Sequence, residues 1–249
     1  MASASQTAVA RPFSALTGRG GLIDKYFYLA MSFVLIAIVV WGFGHTVNDV
    51  LFHPAVPRPL LLWIHAAVFC GWLLLFVLQS ALVRTHHVRW HRTLGWFVAG
   101  VGAAMIPLGA VIAIIMGRFD TRVLHEAGAD TFEFISFGDM AIFAVFLALG
   151  ILWRRKPALH RPILFIATCG LTGAAFGRVP FLIAPHNLTY VCVDAVLCLG
   201  ILRDLLVDRR IHRLYLIALP ALAVAQYGIV YMITAPPLWW VHLAHTLMG

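Results

Sequence analysis

The sequence predicts an all-α membrane bundle of seven transmembrane helices, N-terminus cytoplasmic and C-terminus outside, with a short interfacial C-terminal helix. Three observations lead there. Of the 249 residues, 62% are hydrophobic and 11% charged, whereas a soluble domain is nearer half apolar and a quarter charged. Apolar runs of about 20 residues, enough to cross hydrocarbon as a helix, recur along the chain. They are continuous, not alternating as barrel strands would be. The basic residues, finally, collect at the helix ends of one side.

The N-terminal segment 1–25 lacks the basic-then-apolar order of a signal peptide and reads as a retained cytoplasmic arm. The first helix is expected over Tyr26–Thr46, the second over Leu60–Val83 and the third over Thr93–Met116. The fourth follows over Glu133–Trp153, and the fifth over Pro162–Ile183 with Pro162 in its first turn. The sixth spans Leu188–Leu206 and the seventh Leu214–Ile233. Residues 26–233 thus form the bundle. Residues 234–249 form an outer tail whose helix, Leu238–Met248, is too short to span.

Orientation comes from counting Lys and Arg. The N-terminal side carries Arg11, Arg19, Lys25, Arg84, Arg89, Arg92, Arg154, Arg155, Lys156, Arg161, Arg203, Arg209, Arg210 and Arg213, fourteen of eighteen. Arg58, Arg118 and Arg122 face the other side, and Arg178 lies within a helix. The net charge of +8 is therefore a topology signal, and no nucleic-acid partner is expected. The expected surroundings are the lipid bilayer of a bacterial inner membrane and, as partners, other membrane subunits. The only lysines, Lys25 and Lys156, lie in the cytoplasmic segments, so a retinal Schiff base is excluded. Cys70, Cys169, Cys192 and Cys198 fall within apolar runs and read as small hydrophobes. Pro107, Pro180 and Pro220 invite kinks, and Trp41, Trp63, Trp153, Trp239 and Trp240 read as an interfacial belt.

Three constellations carry chemistry. A His-Arg dipeptide opens alternate helices as His91-Arg92, His160-Arg161 and His212-Arg213. Free N–H groups and imidazole with guanidinium make an anion seat for a lipid phosphate, a haem propionate or a phosphorylated ligand. The same residues also serve as plain headgroup anchors. The second constellation is an intramembrane polar layer of Asp139, Arg178 and Asp194, with His65 at similar depth. Arg178 and Asp194 lie symmetrically about the turn at Ala184–Asn187, so an ion pair across that hairpin is expected; the layer reads equally as a site or as internal polar glue. The third is the histidine-rich outer side: His45, His53, His125, His186, His242 and His245, with Asp49, Glu126, Asp130 and Glu133. His65, His45, His242 and His245 are the candidate ligands, and the expected cofactor is haem b or a transition metal ion. Their spacing matches no specific metal motif.

The run of His65, Gln79, Arg84, His91-Arg92 and Gly95 resembles an uncharacterised bacterial family of multi-pass membrane proteins. Its pattern is a helix-borne His, then Gln, Arg and His-Arg-x-x-Gly, with a further His opening a later helix, here His160. Val77-Leu78 stands where that family has Gly-Pro, and Pro162-Ile163 where it has Trp-Met. The resemblance covers about a third of the chain and implies no activity. More loosely, the chain resembles di-haem cytochrome b-type bundles. That resemblance implies an inner pair His91 and His160, and an outer pair of His65 with His45 or a tail histidine. Functionally these features point to a redox-type protein binding haem or metal near the outer face, or to a non-catalytic subunit or assembly factor of a membrane complex. They do not decide whether it is an enzyme.

Overall fold

The computed structural model describes residues 19–184 and 187–249 and is helical throughout, with no strand among them. Helix α1 covers Arg19–Gly44 and is followed by one π-helical turn, Asn48–Phe52. Helices α2 (Leu60–Arg84) and α3 (Val88–Arg122) come next, then the single turn α4 (Ala129–Phe132) and α5 (Phe134–Leu152). One pass is broken into three pieces, α6 (Pro157–Gly170), α7 (Gly173–Phe176) and α8 (Pro180–Ile183). Helices α9 (Thr189–Val207), α10 (Arg213–Thr234) and α11 (Leu238–Met248) complete the chain. Six segments are long and apolar enough to cross a membrane. The chain is accordingly a multi-pass membrane bundle. α9 is not among the six. It has 19 residues but carries Asp194, Arg203 and Asp204.

The polar contacts show how the helices alternate. At one end the start of α1 meets the ends of α2 and α9: Arg84 donates to the Lys25 carbonyl, and Arg203 pairs with Asp24. The start of α6 meets the end of α5 there, where His160 Nδ1 donates to the Gly150 carbonyl at 2.8 Å. At the opposite end Arg58, before α2, pairs with Asp120 near the end of α3 at 3.0 Å. Arg118 and Arg122 donate to the carbonyls of Leu247 and Gly249, which fasten α11 along α3.

The pass through α6 and α7 is the most enclosed, with 61% of its residues buried against 11–33% in the other five. Ile163, Phe165, Ala167 and Cys169 are fully covered. Large side chains on the outer helices, such as Leu60, Ile217, Val224 and Tyr227, are exposed, as lipid-facing residues are.

Several expectations are corrected. α3 runs from Val88 to Arg122, not Thr93 to Met116, because hydropathy marks only the apolar stretch and a helix continues into polar residues beyond it. His91 and His160 therefore lie inside the first turns of α3 and α6 rather than before them. The fifth expected helix is not continuous: Pro180 opens α8 rather than kinking a longer helix. Residues 19–25 of the expected arm are helical, and the rest of the arm and His186 lie outside the described residues. Trp240 is no interfacial anchor. It is 4% exposed, packs edge-on to Phe134 and donates to the Thr131 carbonyl at 2.9 Å. The tail helix is thus fastened to the bundle through Trp240, Ala244 and Met248.

α1 seats the broken pass by backbone approach. A Cβ at Gly42 would collide with the Ala175 carbonyl, whereas one at Gly228 meets nothing. Small residues at such crossings are how membrane helices come close. Gly42→Leu should cost about 3 kcal/mol, as overpacking against backbone does, and lower the thermal midpoint in detergent. Gly228→Ala should leave it unchanged.

Candidate functional site

A cavity of about 820 Å³ occupies the arginine-rich end, walled by α1, α2, α3, α5 and α6. Its deeper wall is apolar and aromatic: Trp72, Phe76, Leu147 and Leu164. Its outer part carries Lys25, Arg84, Arg92, Arg154, Arg155 and Arg161, and no Asp or Glu lines it. Among the described residues none of these six cations is ion-paired; the acids at this end, Asp24, Asp204 and Asp208, are all taken by Arg203. Arg154 instead lies over the Trp96 ring at 5.0 Å. Six positive charges without a counter-charge, above an apolar pocket, suit a ligand with an apolar body and an anionic head.

His91 and His160 face one another in this cavity, ring centroids 6.4 Å apart and planes at 77°. The Nδ1–H of His160 is committed to Gly150, which leaves its Nε2 free. His91 Nδ1 is buried without a partner. Beside them Gln79, 9% exposed, lines the cavity with both its amide oxygen and nitrogen unpartnered. An orphaned buried amide is expensive, and this one lines the cavity.

Four of the six expected anion-seat residues, His91, Arg92, His160 and Arg161, meet in this cavity. His212 and Arg213 do not: His212 caps α10, its Nδ1 accepting from Leu214 N at 3.1 Å, and Arg213 is exposed. Gln79, Arg84 and Gly95 of the motif line the cavity too, while His65 stands about 21 Å from Gln79 along α2, at 1.5 Å per residue over 14 residues.

The polar layer forms with different partners. The expected Arg178–Asp194 ion pair is absent among the described residues. Asp139 accepts from Tyr190 at 2.9 Å and Asp194 accepts from Gln226 at 3.1 Å. A void of about 10 Å³, room for one water, adjoins Asp139, Tyr190 and Gln226. Arg178 sits in the break between α7 and α8, donates to the Ala174 carbonyl and lies over Phe43 at 4.2 Å. The pass breaks at Gly177–Val179, so Arg178 loses the helical phase that would have aimed it at α9.

The outer histidines do not assemble. His45 bonds the Trp41 carbonyl at 2.9 Å, His65 stacks on Phe69 at 4.1 Å, and His245 stands 2.7 Å from Asp130. Among the described residues no three His, Cys, Asp or Glu side chains come together to hold a metal ion. Sequence reasoning missed Tyr190 and Gln226 as partners of the acids. Gln226, a lone amide in an apolar helix, was a signal for one of them. Lys25, Arg154 and Arg155 were read only as topology.

No family model matches the chain, and the comparisons with curated proteins and solved structures yield no match either.

A double-mutant cycle on Tyr190→Phe and Asp139→Asn, read by unfolding in bicelles, should give a coupling of about 0.6–1.7 kcal/mol, usual for buried hydrogen bonds between membrane helices. Arg178→Met and Asp194→Asn should be additive to within about 0.5 kcal/mol, since the two residues share no partner.

Proposed function

We propose that the chain is a bacterial inner-membrane protein of seven spans, N-terminus in the cytoplasm and C-terminus outside. In this reading its function resides in the arginine-rich cavity, which takes an anionic amphiphile from the cytoplasmic side. The observation that carries the reading is the cavity's charge: six unpaired cations, no acid, and an apolar aromatic interior.

α9 serves as the seventh span. Its 19 residues reach about 28 Å at 1.5 Å each, close to the hydrocarbon thickness. Arg203 and Asp204 lie in its last turns and satisfy each other, and Asp194 is bonded to Gln226, so its polar groups have partners. The fourteen basic residues on the N-terminal side support the orientation.

The ligand's head is a carboxylate or phosphate. Arg92 and Arg161, one turn into α3 and α6, combine guanidinium donors with the positive helix ends. Gln79 offers a neutral hydrogen bond deeper in, and the aromatic wall takes the apolar body.

A phosphatase that folds only outside the membrane, fused after Gly249, should be active, and fused after Asp208 inactive. A fusion after Asn187, ahead of α9, should also be active; equal activity after Asn187 and after Asp208 would remove α9 as a span. Native mass spectrometry of the gently purified protein should show a bound anionic amphiphile. Joint Arg92→Gln and Arg161→Gln substitution should lower its occupancy about tenfold or more, since a charge-assisted hydrogen bond contributes about 1.5–3 kcal/mol. Arg210→Gln, outside the cavity, should not.

A further inference from the structure

We propose that the occupant of this cavity is haem b, held through its iron by His91 and His160. The inference rests on the reading of the cavity as an anionic-amphiphile site and names the amphiphile.

The spacing of the two rings carries it. Half of the 6.4 Å between the centroids is 3.2 Å. With a ring nitrogen about 1.1 Å out from its centroid, a metal midway would stand ~2.1 Å from each nitrogen, the usual metal–imidazole bond length, when side-chain rotation brings both nitrogens onto the line between the rings. A ligating histidine typically donates its other N–H to a carbonyl, which fixes ring and tautomer. His160 does this to Gly150 at 2.8 Å and presents Nε2 as the free nitrogen.

The shortage of other ligands says which metal species fits. A bare ion takes three or four protein ligands, and the described residues gather no set of three. A macrocycle supplies four nitrogens of its own, so two imidazoles complete its iron. Haem b also carries two carboxylates, and the cavity gathers six cations with no acid among its lining residues. The flat apolar ring finds Trp72, Phe76 and Trp96 on the walls, and the volume of about 820 Å³ lies in the range of cofactor sites. Gln79 beside the pair, its amide without a partner in the protein, can supply a polar contact.

The test is the full-length protein produced with haem supply, purified in mild detergent and titrated with haemin. Absorption spectra are taken before and after dithionite, with native mass spectrometry in parallel. One haem per chain is expected, six-coordinate and low-spin. In His91→Ala and in His160→Ala haem content should fall about tenfold or more, with unchanged elution volume. His91→Met should keep the haem and raise its reduction potential, as Met/His ligation does; this separates a lost ligand from a lost fold. His65→Ala should remain fully loaded. Full loading of either alanine variant overturns the axial pair. A colourless protein that does not saturate with haemin, yet carries another anionic amphiphile, overturns haem and leaves the site reading intact. If neither haem nor any amphiphile binds, both fall.

Discussion

An unpaired peptide group in hydrocarbon costs several kcal/mol, and this constraint shapes the molecule most where the α6–α8 pass is interrupted. Breaking that helix frees carbonyls in the most enclosed part of the bundle. The protein satisfies them locally. Thr172 Oγ1 donates to Cys169 and Arg178 to Ala174. Gly42 then lets α1 close over Ala175 with backbone against backbone. Arg178, which reads in the sequence as half of an ion pair, is in the structure the cap of a broken helix, stacked on Phe43.

The two ends of the bundle treat charge differently, and the difference marks the candidate site. At the far end the basic residues Arg58, Arg118 and Arg122 have partners, Asp120 for the first and the last carbonyls of the chain for the other two, and His245 stands beside Asp130. At the arginine-rich end Arg203 takes Asp24, Asp204 and Asp208. Among the described residues no acid is left for the cavity, whose six cations stay unmatched. A polar group satisfied within the fold contributes stability; one left unsatisfied beside an open volume is a place where a ligand would find a partner. Gln79 meets the same description, as an amide.

Asp139 and Asp194 follow the first pattern. Each is bonded by a neutral donor from a neighbouring helix, Tyr190 and Gln226. These bonds tie α5 to α9 and α9 to α10.

By itself the sequence determined the helical class, the apolar passes to within a few residues at most ends, and the segregation of basic residues. All three follow from local composition, and the bilayer imposes them one helix at a time. It also flagged His91, Arg92, His160 and Arg161, because a His-Arg pair at a helix start has a meaning independent of the fold. Only the tertiary structure decided that these four share one cavity with Gln79 and Arg84, while His212, His65 and the outer histidines stay apart. Which faces meet depends on helix rotation and on where a helix stops. The break near Pro180 redirected Arg178, and the early start of α3 at Val88 brought His91 into helical phase opposite His160. Helix phase is a property of the packed bundle, and hydropathy along one chain does not contain it.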